Sequence, residues 1–199
     1  MAAMAKITTY LNGTKKDIIL KNAATLFRTK GFKATSVREL AESLGIEAPS
    51  LYNHIGSKAE MLQDICFEVA TDFTVCMDAV LAMPNNAVQK TTHLLHYHLQ
   101  KLYNDFDKVY VADYEWKQLP KKQMQSFLAI RKQYENNFIS IIQEGVQQQS
   151  FKNLQPKIVV LTLLSAVRGL ELLQNKKNEF SLQALQDNMT DLLLNGIIN

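Results

Sequence analysis

Three groups of residues in this 199-residue sequence have the types and spacing to do chemistry. The first is His93, His96 and His98, an HxxHxH pattern of the kind that binds metals or moves protons. At helical spacing His93 and His96 share a face while His98 points elsewhere, and no nearby cysteine completes a zinc set. Polar or pocket-lining helix positions are therefore the plainer reading, and no metal ligand is assigned. The second group lies in the middle of the chain, where Tyr97, Tyr103, Tyr110, Tyr114, Trp116, Phe127, Tyr134 and Phe138 are concentrated. Aromatic walls with a few polar groups suit an apolar small-molecule pocket, although aromatics at helical spacing also build ordinary core. Arg131 beside Tyr134, and Arg168 within the apolar run Ile158–Leu173, add cations that burial would oblige to find an anion. Glu135, Glu171 or a ligand carboxylate or phosphate would each serve. The third is the stretch Thr35–Lys58, TSVRELAESLGIEAPSLYNHIGSK, whose chemistry depends on how two short helices hold it. No nucleophile elbow or phosphate-binding loop accompanies the many Ser, Thr and Asp. No catalytic residue and no cofactor are called for.

The elements that must position the third group are legible. Ser36 is placed to cap a helix, with Glu39 completing a capping box. Val37, Leu40, Ala41 and Leu44 give that helix one apolar face. Gly45 can take the left-handed conformation that ends it. Pro49 fits a first helical turn, and Ser50–His54 form a second helix too short to stand without packing. This is a helix-turn-helix, whose second member can enter a DNA major groove. Charge supports the reading: residues 14–58 carry eight Lys and Arg against four Asp and Glu. Residues 59–199 carry thirteen against fifteen, so the basic excess is local to the segment that would neutralise phosphates.

The run LAESLGIEAPSLYNHIGSKAEML strongly resembles the signature of TetR-type transcriptional regulators. The preceding DIILKNAATLFRTKGFKATS also fits, with Ala23, Leu26, Phe27, Gly31, Phe32 and Thr35 in register. Ile55 departs from the usual aromatic, but an aliphatic still packs there. The resemblance implies DNA contacts position by position. Ala48, Pro49, Ser50 and Asn53 would face bases, Asn53 by bidentate pairing with adenine or else by contacting phosphate. Tyr52 and His54 would donate to phosphates, the alternative being packed rings with solvated tips. Lys58 would meet a phosphate beside a helix N-terminus. Arg38 would reach the groove, and Thr35 and Ser36 would add phosphate contacts. The resemblance further implies a double-stranded DNA operator that is nearly palindromic, release of a repressor by a small-molecule effector, and a homodimer formed by the last two helices. Tyr97, Tyr103, Tyr114, Trp116, Phe127, Arg131, Tyr134 and Arg168 are the candidate effector-binding residues. The segment ADYEWKQLPKKQMQSFLAIRKQYENNFISIIQEGV also looks like the C-terminal domain of family members that regulate fatty-acid and acyl-CoA metabolism. An acyl-CoA, a fatty acid or another apolar ligand is the class this suggests. A helical DNA-binding and dimerisation protein without an effector, or an all-α enzyme, are the alternatives.

The whole chain then reads as all-α: a flexible tail (1–13), a three-helix helix-turn-helix domain (14–58), and a larger helical effector-binding and dimerisation domain (59–199), about nine helices in all. Ser57 caps a long helix to about Met83, which Pro84 ends. Further helices are predicted at about 88–103, 107–118, 122–148, 158–174 and from Ser181 onward. The 158–174 helix is apolar nearly all round, and Leu182, Leu185, Met189, Leu192 and Gly196 alternate at three and four, the seam of a helix pair. An internal hairpin is the alternative to a dimer. Cys66 and Cys76, ten residues apart on one helix, would sit about 15 Å apart, too far for a disulfide. No signal peptide or spanning segment is evident, so a cytoplasmic protein that does not engage a membrane is expected.

Overall fold

The computed structural model describes residues 14–170 and 179–199. The expected tail 1–13, the far end of the apolar helix and Glu171 lie outside the described residues. Nine α-helices are present among them. They are α1 (Lys15–Lys30), α2 (Val37–Leu44), α3 (Ala48–Tyr52), α4 (Lys58–Ala82), α5 (Ala87–Asn104), α6 (Phe106–Tyr114), α7 (Lys121–Gln147), α8 (Pro156–Arg168) and α9 (Leu182–Leu194). A 3₁₀ turn, Glu115–Gln118, follows α6. The described residues contain no strand, only an isolated antiparallel bridge between Phe151 and Ile198. The all-α expectation holds.

The chain folds as two compact units. The first takes the described part of Met1–Ala70 together with Asp107–Phe127. Thr14 and Asp17 form the capping box of α1, and Gly31 ends it at φ 85°. Ile19, Leu20, Ala23, Ala24 and Phe27 form its buried face. Ser36 and Glu39 form the capping box of α2, and Gly45 stops it at φ 66°, ψ 32°, a backbone region that favours glycine. Leu40, Ala41 and Leu51 seal α2 and α3 into the core. The Asp107 carboxylate accepts hydrogen bonds from Thr25 Oγ1 and Arg28 Nε, and Lys108 pairs with Glu68. These ties explain why α6 groups with the N-terminal helices, which the 14–58 boundary read from the motif did not include. They join residues 40, 79 and 82 positions apart, beyond any local sequence pattern.

The second unit takes Thr71–Phe106 and Leu128–Asn199. Within it α5 packs against α9 and α8. Asn86 and Gln89 form the capping box of α5. Gly145 lets the Phe151 ring and Ala87 lie against α7, where a Cβ would collide with both. Val159, Val160, Leu163 and Val167 form the buried face of α8. Ile158 and Leu161, on the same helix, stay 63% and 46% exposed. Cys66 and Cys76 are both buried on α4. No helix among the described residues is long and apolar enough to cross a membrane.

Candidate nucleic-acid interface and effector site

On α2 and α3, the residues that face away from the core are the ones a DNA surface would meet. Arg38, Pro49, Ser50, Tyr52, Asn53 and His54 are exposed, and Ala48 is half-buried. The Arg38 side chain is 87% exposed and pairs with Glu42, one helical turn away at 2.9 Å. Such an exposed pair is weak and can be exchanged for a phosphate or a base. Beneath them Leu51 and Ile55 anchor the short helix.

Three of the residues expected to touch phosphate are engaged elsewhere. Thr35 is 2% exposed, and its hydroxyl donates to the Gly31 carbonyl at 2.9 Å. It pins the α1–α2 turn and has no donor left for DNA. Ser36 spends its hydroxyl and its amide on Glu39. That carboxylate also pairs with Lys30 at 2.8 Å. The Lys30 contact first, then the Ser36 amide and hydroxyl, hold Glu39 down to about 2 from the usual 4.5. A fixed negative charge thus occupies the N-terminus of α2, where a phosphate would otherwise be welcome. Lys58 donates to the carbonyls of Phe32 at 2.9 Å, Thr35 at 2.7 Å and Lys33 at 3.4 Å, and its ammonium sits 4.5 Å from the Phe32 ring centre. A lysine has three donors, and this arrangement uses them all.

The residues expected to meet an effector are divided between the two units. Tyr114, Trp116 and Phe127 belong to the first unit. There Phe127 is buried against Phe67 and Trp116, and Tyr114 lies beside Tyr110 at 46% exposure. Tyr97, Tyr103, Arg131, Tyr134 and Arg168 belong to the second unit. Tyr97 and Tyr134 meet around Phe73, a residue of α4, with ring centres 5.5 and 5.9 Å from it. His98 stacks on the same ring at 4.4 Å, and its Nε2 is 2.8 Å from the Tyr134 hydroxyl. Burial first, then the positive charge of Arg168, pushes His98 down to about 3. Burial raises Tyr134 well above the ordinary phenol value. Both are therefore neutral at physiological pH. Tyr97 donates to the Asp72 carbonyl at 3.1 Å, and burial raises it too. Lys101 is paired with Asp72 and Asp105.

One expectation needs correction. Arg168 is not a buried arginine: it is exposed at the last position of α8, off the face that buries Val159, Val160, Leu163 and Val167. A cation there complements the C-terminal helix dipole. Phe73 and His98, which lie outside the candidate effector set, pack with Tyr97 and Tyr134. Their signal was the i, i+4 and i, i+1 neighbourhood of Met77 and Tyr97, which sequence cannot tell from plain core. The histidines do not converge: His93 is exposed, His96 is half-buried, and its carbonyl accepts from Gln186. Among the described residues no three His, Cys, Asp or Glu are placed to share a metal.

A three-helix module with an exposed short second helix after a glycine turn, joined to a larger helical unit, defines a helix-turn-helix DNA-binding regulator. Residues 19–65 match the bacterial regulatory proteins of the tetR family, and residues 84–197 match the tetracyclin repressor-like C-terminal domain. The chain belongs to the TetR family, a family of DNA-binding transcriptional repressors with ligand-binding domains rather than of enzymes. It is 29% identical over 150 residues to the HTH-type transcriptional repressor KstR2 of Mycolicibacterium smegmatis, covering 75% of this chain and 73% of that protein. Its fold is similar to the ketosteroid transcriptional regulator KstR2 of Mycobacterium tuberculosis (TM-score 0.84, 18% identity, 95% of this chain and 97% of that one). It is also similar to AibR solved with isovaleryl coenzyme A and operator DNA (TM-score 0.78, 19% identity, 90% of this chain and 97% of that one).

Proposed function

We propose that this chain is a cytoplasmic homodimeric repressor that holds a near-palindromic operator and is released by an acyl-type or other apolar effector. The observation that carries the DNA part is the exposed row Arg38, Ser50, Tyr52, Asn53 and His54 above the sealed Leu40, Ala41 and Leu51. Two copies of α3 about 34 Å apart would enter successive major grooves. The second copy is supported by apolar residues that the single chain leaves uncovered: Ile158 at 63%, Leu161 at 46% and Leu192 at 72% exposure. Ile158 and Leu161 lie on α8, whose opposite face is already buried in its own unit. A self-complementary patch meeting its own copy is the simplest cover.

The effector part is supported by the aromatic group Phe73, Tyr97, His98 and Tyr134, and by the likeness to AibR, a structure with an acyl-CoA bound. An effector shifts the equilibrium only by its difference in affinity for the two states. Helix α4 contributes Phe73 to that group and Lys58 to the turn before α2, so one continuous helix carries both ends of the signal. Gel-shift titrations of DNA from upstream of the chain's own gene, across a salt series and with isovaleryl-CoA added, test the proposal. Affinity should fall steeply with salt, and the effector should release the DNA. A flat salt response, or no binding by the dimer, would overturn it.

A further inference from the structure

Residues 14–58 carry four carboxylates, and three of them are committed within the fold. Asp17 closes the cap of α1, Glu39 caps α2 and pairs with Lys30, and Glu42 pairs with Arg38. Glu47, the fourth, stands at the N-cap of α3 and makes no side-chain cap hydrogen bond. Ser, Thr, Asp and Asn are the residues that cap well, so Glu47 is a poor choice for stabilising the helix. Nor does the helix dipole account for it, because α3 has five residues and a small dipole. The backbone around it is nonetheless fixed. The Ile46 amide donates to the Ala41 carbonyl at 3.0 Å, and the Glu47 carbonyl accepts from the Ser50 and Leu51 amides at 2.9 and 3.3 Å. A firmly held backbone thus presents an exposed carboxylate at the leading end of α3.

We propose that Glu47 reads cytosine in each half of the operator, accepting a hydrogen bond from the cytosine N4 amino group. The inference rests on the reading of this chain as an operator-binding repressor, and it adds one base that the operator contains. In a helix-turn-helix the N-terminal residues of the second helix meet the base edges. A carboxylate brought there approaches phosphates of its own sign, which weakens binding to every sequence. That loss is offset where the carboxylate finds a donor on a base edge. An ionised carboxylate accepts hydrogen bonds and cannot donate them. In the major groove guanine offers two acceptors, and thymine an acceptor and a methyl group. Both repel Glu47. Adenine sets its amino donor beside the N7 acceptor, a pattern that an amide such as Asn53 matches better. The edge of cytosine offers the N4 amino donor and no acceptor of its own. Glu47 therefore favours cytosine twice, by attraction to it and by repulsion from the alternatives.

The test uses the full chain and duplexes with a randomised core of about 24 base pairs, room for two half-sites a turn or two apart. The pool is sequenced before and after binding to the wild type, Glu47→Ala and Glu47→Gln, with melting curves to show that each variant folds. The wild type should prefer cytosine about tenfold at one position of each half-site, the discrimination one good base contact gives. Glu47→Ala should lower that preference below about twofold and leave the other positions unchanged. It should also raise affinity for duplexes of random sequence by about threefold, because the repulsion from phosphates is gone. Glu47→Gln should turn the preference to adenine, whose N6 and N7 an amide can pair. A residue that merely caps the helix could not redirect a base preference. If Glu47→Ala selects the same sequences as the wild type, the proposal falls while the repressor reading stands. Loss of a preference for a base other than cytosine overturns it as well. If the wild type enriches no sequence at all, the repressor reading fails and takes the proposal with it.

Discussion

Lys58 gives its ammonium to three carbonyls of the α1–α2 turn and lies over Phe32, which makes it a clamp on the module it was expected to help dock. The two roles separate by experiment. Lys58→Met should lower the stability of the first unit by about 1–3 kcal/mol, the usual loss for hydrogen bonds to a charged donor. It should also leave the salt dependence of DNA binding nearly unchanged; a slope reduced by about one unit would restore the phosphate contact. Glu39 makes the matching case for pH. Its pKa is lowered on folding to about 2 by Lys30 and Ser36, so its contribution is complete above the usual value of 4.5 and disappears as pH falls toward 2. Comparing melting temperatures of the wild type and Glu39→Gln, the difference should persist at pH 7 and close between about pH 4.5 and 2. A gap that stays constant across that window would remove the ion pair and cap as its cause.

Among the elements, α7 shows what a helix gives up for its neighbours. Gly145 weakens the helix by about 1 kcal/mol relative to alanine on propensity alone. Here the missing Cβ is the space filled by Phe151 and Ala87, and the Gly145 carbonyl also accepts the Phe151 amide at 3.0 Å. Overpacking wins over propensity, so Gly145→Ala should destabilise by about 1–3 kcal/mol, or several degrees in melting temperature at this size. Phe151→Leu in the same chain should recover part of the loss. Were Gly145→Ala to melt higher than the wild type, the packing account would fail. Helix α8 shows the opposite use of an apolar sequence. Its run is apolar nearly all round, and one face is buried in its own unit while Ile158 and Leu161 stay exposed.

At the scale of the whole molecule, that uncovered face sets the assembly prediction. Leu192→Arg combined with Ile158→Arg changes residues that the single chain leaves largely exposed, so folding of the chain itself should survive. Light scattering should then report a monomer in place of the proposed wild-type dimer, and operator affinity should fall steeply because each half-site is met alone. A variant that remains dimeric would move the interface elsewhere.

The sequence by itself determined the all-α class, the helix-turn-helix and its caps, because these follow from residues three or four apart. Ser36 with Glu39, Gly45 and Pro49 are local signals, and they stand where they were read. It also carried the family, through a motif whose residues sit in one continuous stretch. Only the tertiary structure decided what long-range partners each polar group has. Asp107 draws α6 to α1 from about eighty residues away, Lys58 turns inward to carbonyls that precede it by more than twenty, and Arg168 lands outside the core. His98 and Tyr134 meet across 36 residues. Spacing along a chain cannot show such encounters, because a donor's partner is set by packing rather than by its neighbours in sequence.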